Sequence, residues 1–158
     1  MTPYEELLEI AKNEGITVVD YELDDETIGL YCDDYVLINK NADAVERYCT
    51  LAEELGHHYT ATDNIVETDT IEKCKQEQLG RRWGFEALLP INDILDVIID
   101  GYDCIYLAAE QLDVTPEYLQ EALVYYSQKY GPQMEYGDYI AIFSNESLIV
   151  HPILDDVI

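Results

Sequence analysis

Apolar positions recur at helical spacing over residues 3–14, where Leu7, Leu8, Ile10 and Ala11 follow Pro3 and Gly15 ends the run, so a helix is expected there. Residues 16–21 and 28–39 are instead rich in Val, Ile, Tyr and Leu, and Asp33-Asp34 divides the second stretch. A strand followed by a hairpin is expected. Asn41 or Asp43 can cap a helix running to about Tyr59, with Ala44, Tyr48, Leu51 and Leu55 as its apolar stripe. A polar stretch from Thr60 to Asp69 leads to a second long helix, about Thr70 to Leu89, which stops at Pro90. Residues 92–100 and 103–112 read as short helices. Thr115 then caps another, Pro116 opens it and Gly131 stops it. The tail from Tyr136 to Ile153 alternates enough to predict a hairpin around Ser144-Asn145-Glu146, and no segment repeats.

Composition narrows the picture. The 158 residues suit one domain, and 48% hydrophobic content excludes a disordered chain. Eight basic against 34 acidic residues give a net charge of -26, which repels a phosphate backbone, so direct nucleic-acid binding is not expected. The same charge disfavours anionic lipid, and no apolar run reaches the roughly 20 residues of a membrane span. No signal segment is visible after Met1, and a cytoplasmic location is expected. Cys32, Cys49, Cys74 and Cys104 show no paired spacing and are expected to be reduced, mostly buried thiols. The run from Leu107 to Thr115 has the pattern of a helix-turn-helix turn, but its neighbours are acidic, and a packing role is expected.

The chemistry concentrates in Leu51-Ala52-Glu53-Glu54-Leu55-Gly56-His57-His58. Glu53 and His57 are four residues apart and share one helix face. The zinc motif H-E-x-x-H has this spacing, with two ligands at i and i+4 and the intervening Glu as base; here Glu53 stands where the first His would. A carboxylate oxygen ligates zinc at about 2.0–2.2 Å, close to the distance for an imidazole nitrogen, so a site survives the exchange. In so acidic a chain the same residues also fit a solvated helix face. Glu77 on the second long helix lies near Gly80 and Gly84. Interior glycines cost about 1 kcal/mol each relative to Ala, so their placement calls for close packing on the first helix, with Glu77 as a third ligand.

These residues resemble the ImmA/IrrE family of metallo-endopeptidases, particularly its short forms from phages and mobile elements. Gly29-Leu30-Tyr31, Ile38-Asn39-Lys40-Asn41 and Leu51 to His58 match the family's ordered motifs. Glu77 to Gly84 followed by Leu88-Leu89-Pro90 matches its E-x-x-A-x-x-F-A segment, with Gly80, Trp83 and Gly84 as departures. Leu107-Ala108 through Val114-Thr115 matches a later motif. The resemblance covers roughly residues 4–130.

The resemblance implies an α+β, zincin-like fold: a small antiparallel sheet packed on the active-site helix, with a helical C-terminal half. It implies a metallopeptidase domain over 1–130; the tail 131–158 lies outside the resemblance and is expected, from its alternation, to pack on that domain as a hairpin. It further implies one zinc ion held by His57 and Glu77 with Glu53 in the first ligand position, Glu54 as general base, and a helix-turn-helix repressor as protein substrate. His58 points about 100° away from His57, so a supporting or surface role is expected. Two other readings remain: a metal-free module that binds the repressor without cutting it, and an acidic decoy that mimics nucleic acid.

Overall fold

The computed structural model of the chain describes residues 1–60, 70–144 and 147–153, with the side chains of Cys32, residues 70–73, Gln76 and Glu77 left out. Among the described residues the protein has six helices and two three-stranded sheets, a mixed α/β architecture. It divides into two compact units, Met1–Leu88 and Leu89–Ile158, the first ending with the second long helix.

The first unit opens with α1 (Pro3–Asn13). Thr2 accepts from the Glu5 N–H at 3.2 Å while the Glu5 carboxylate accepts from the Thr2 N–H at 2.7 Å, a reciprocal cap that fixes the start. Gly15, with φ +76°, supplies the left-handed residue that ends it. Strands β1 (Thr17–Tyr21), β2 (Gly29–Cys32) and β3 (Tyr35–Asn39) follow. Asp33 takes φ +53° in the two-residue turn between β2 and β3, which pair antiparallel from Gly29↔Ile38 to Cys32↔Tyr35.

The sheet itself corrects an expectation. It is mixed, not antiparallel: the strand order is β1-β3-β2, and β1 pairs parallel with β3 from Thr17↔Tyr35 to Tyr21↔Asn39. The physical reason lies in Asn39. Its buried side-chain amide donates to the carbonyls of Leu23 at 3.5 Å, Asp24 at 3.0 Å and Thr27 at 3.0 Å, and its oxygen accepts from the Asn41 N–H at 3.1 Å. The 22–28 connection is thereby held across the end of β3, which puts β1 on the far side of that strand from β2. The edge strand beside the next helix is therefore β2.

Helix α2 (Ala44–Thr60) is capped by Asp43, whose carboxylate accepts from the Glu46 N–H at 2.8 Å. Its apolar stripe, Leu51, Ala52 and Leu55, is completely buried with Val36 and Ile38 of β3. Helix α3 (Thr70–Leu88) packs along α2. The expected connection over 61–69 lies outside the described residues.

In the second unit, α4 (Ile91–Ile99), α5 (Ile105–Gln111) and α6 (Pro116–Tyr130) follow the pattern of apolar positions, and Thr115 caps α6 through the Tyr118 N–H at 3.1 Å. The buried Tyr126 hydroxyl donates to the Leu89 carbonyl at 2.7 Å. The tail is more than a hairpin: β4 (Gln133–Tyr136), β5 (Tyr139–Ser144) and β6 (Ser147–Pro152) form an antiparallel meander. Gly137, at φ +56°, makes the β4–β5 turn that adds the extra strand. Residues 145 and 146 of the expected turn lie outside the described residues. Of the thiols, Cys49 is buried, but Cys74 and Cys104 are exposed, against the expectation of burial; Cys104 stands at the N-cap of α5, a helix end, and not within a helix.

Candidate functional site

Helix α2 presents two adjacent rows of residues, generated by the three- and four-residue spacings of a helix face. One row, Thr50, Glu54 and His58, faces β2. A Cβ placed on Gly29 would lie 2.5 Å from the Thr50 methyl and 3.5 Å from Cγ of Glu54, so the absent side chain at Gly29 is what lets the strand approach the carboxylate. Two residues on, Tyr31 shares the Gly29 face of the strand and reaches the next turn of α2. Its hydroxyl lies 3.0 Å from Nδ1 of His58, whose Nε2 lies 3.4 Å from the Glu14 carboxylate at the end of α1. An ionised carboxylate only accepts, so the Nε2–H tautomer donates to Glu14 and Nδ1 accepts from Tyr31.

Burial raises the Tyr31 phenol above its ordinary value, with the charges of Asp34 and Asp33 adding to the shift. Tyr59 is also raised, first by burial and then by Glu14. The Tyr59 ring stacks on Trp83 of α3 at 4.8 Å between centroids.

The second row, Glu53, Gly56 and His57, faces α3. A Cβ on Gly56 would lie 2.1 Å from the Gly80 carbonyl oxygen, and one on Gly80 would lie 2.8 Å from Nδ1 of His57. Both glycines are needed for this crossing, and Gly80 leaves room for the imidazole between the helices. Arg81 of α3 reaches Glu53, with Nε 3.5 Å from Oε1.

The sequence-derived site residues are thus placed unequally. Glu53 and His57 come together on the α3 side, and Glu54 sits one position round the helix toward β2. The backbone of Glu77 lies one turn before Gly80 and Arg81 on α3, but its side chain lies outside the described residues. Among the described residues, no group of three His, Cys, Asp and Glu residues is placed to hold a metal. The described part of the donor set, a carboxylate and an imidazole at i and i+4 against a helix cleared by Gly80, is of the type that suits zinc. His58 lies on the β2 side, between Tyr31 and Glu14, and not beside His57 on the α3 side. Sequence reasoning gave no role to Gly56 or Arg81 and missed the Glu14–His58–Tyr31 connection, although of these residues only Glu14 lies outside the motifs.

A family model described as Peptidase_M78, IrrE N-terminal-like domain, matches residues 2–124. No curated protein matches the chain.

Proposed function

We propose that this chain, which belongs to the Peptidase_M78 family through its IrrE N-terminal-like domain, is a zinc-dependent endopeptidase with a zincin-like fold. Its substrate is a regulatory protein of the helix-turn-helix repressor type, met in the cytoplasm in a phage or mobile-element setting. The observation that supports this most is the division of α2 into two rows, Glu53 and His57 toward α3 and Glu54 toward the edge strand β2. Ligating and proton-handling groups then stand on neighbouring sides of one helix, next to a strand edge that can pair with an extended peptide.

Glu53, His57 and Glu77 would hold the metal. Zinc, when bound, supplies Lewis acidity that polarises a carbonyl and makes water a stronger acid. The Glu54 carboxylate takes the proton of the attacking water and returns it to the departing amide nitrogen. Main-chain pairing on β2 would align the scissile bond near Glu54, because Gly29 lets that strand lie close to the carboxylate.

The test is incubation of zinc-supplied protein with a candidate repressor, read by mass spectrometry of the fragments. Glu54→Gln is expected to lower cleavage by about 10²-fold or more, the usual contribution of a positioned acid–base group, with the fold retained. Loss of zinc in Glu77→Ala, by elemental analysis, checks the third ligand. The Glu53–Arg81 ion pair favours a second reading, a repressor-binding module without hydrolysis. In that case the repressor is retained uncut and Glu54→Gln binds it as wild type does.

A further inference from the structure

The exchange of imidazole for carboxylate at position 53 adds a negative charge beside Glu54, and the structure shows what meets it. Arg81 comes from the neighbouring helix, one turn after Glu77, and places Nε 3.5 Å from Glu53 Oε1. Arg81 is one of only eight basic residues in a chain with 34 acidic ones. A guanidinium and a divalent cation are both ligands of choice for a carboxylate, and they repel one another. An imidazole at position 53 would give a guanidinium no anion to pair with; a carboxylate does.

We infer that Arg81 is the counter-ion of Glu53 in the metal-free site, and that metal loading exchanges Arg81 for the metal on this carboxylate. The inference rests on the metal-site reading above. Its consequence is that the Glu53 charge is matched, and the α2–α3 crossing bridged, before metal arrives. Arg81 thereby sets how much metal is needed to fill it. Side-chain exposures of 46% for Arg81 and 30% for Glu53 mean that the exchange needs only rotamer movement into solvent.

The experiment measures zinc affinity of the full chain by competition with a chromophoric chelator, at neutral pH and fixed salt. It compares wild type, Arg81→Gln, Arg82→Gln, Glu53→Gln and the double variant Glu53→Gln/Arg81→Gln. Arg81→Gln is expected to bind zinc about fivefold more tightly, equivalent to about 1 kcal/mol, the upper end for an exposed ion pair. Arg82→Gln makes the same change in net charge one residue away and is expected to stay within about twofold of wild type. In the Glu53→Gln background the gain from Arg81→Gln is expected to vanish. Equal zinc affinity in wild type and Arg81→Gln, or an equal gain in Arg82→Gln, overturns the inference and leaves the metal site standing. Failure of every variant to bind zinc overturns both.

Discussion

Gly56 shows how a single missing side chain sets the geometry of the candidate site. On helix propensity alone, Gly56→Ala and Gly80→Ala should each stabilise the protein by about 1 kcal/mol. The structure reverses the sign at Gly56, because the added methyl would sit 2.1 Å from the backbone oxygen of Gly80, which has no rotamer to yield. Helices α2 and α3 would have to separate. Gly56→Ala is therefore expected to destabilise the protein by about 2–3 kcal/mol, as overpacked sites do, measured by urea denaturation. A stabilised Gly56→Ala variant would mean that the two helices do not cross at these glycines. The same crossing carries Glu53, His57 and Arg81, so the residue that fixes the helix distance also fixes which groups can share a cation.

At the scale of elements, three pieces of the first unit converge on His58: the end of α1 through Glu14, β2 through Tyr31, and α2 itself. This tie holds only while the Tyr31 phenol keeps its proton. Burial raises that phenol in the folded protein relative to the unfolded chain, so over the alkaline range the folded state retains the proton longer. A raised folded value contributes stability that is fully present below the ordinary tyrosine range, near pH 10, and is lost as pH rises through the folded value. Unfolding free energy is expected to fall above about pH 10, and Tyr31→Phe is expected to make that fall shallower. At neutral pH the same variant should cost about 1 kcal/mol for the lost hydrogen bond. An alkaline slope identical in wild type and Tyr31→Phe would show that the tie is not made. Helix positions were largely legible from the sequence because caps and stops are local: Gly15, Asp43, Thr115 and Gly131 act within a turn or so of the chain. The mixed pairing of the first sheet was not legible, since it is decided by Asn39 reaching back over the 22–28 connection, a contact that no periodicity reports. Likewise the E-E-x-x-H spacing singled out Glu53, Glu54 and His57 as candidates, whereas Arg81 could be linked to Glu53 only once α3 was laid against α2.

For the whole molecule, the net charge of -26 is the dominant electrostatic fact, and beyond Leu88 the only Lys or Arg is Lys129. Self-repulsion of this kind opposes the folded state and is screened by salt. Against it stand a few exposed pairs, such as Lys40 with Glu22 at 3.6 Å and Arg47 with Asp20, each worth only about 0.2–1 kcal/mol and also screened. Repulsion outweighs these pairs because acidic residues outnumber basic ones by 34 to 8, leaving most carboxylates without a basic partner. The urea midpoint is therefore expected to rise between about 0.01 and 0.5 M NaCl, as the screening length falls from about 30 Å to below 10 Å. Partner association should move the other way. For the proposed repressor substrate, whose DNA-contacting surface would be basic, attraction to this acidic chain would speed encounter at low salt and weaken as salt is added. A midpoint that rises with salt while repressor association slows would tie both behaviours to the same field. A midpoint that falls with salt would instead place the balance in the local ion pairs, Arg47 with Asp20 first among them.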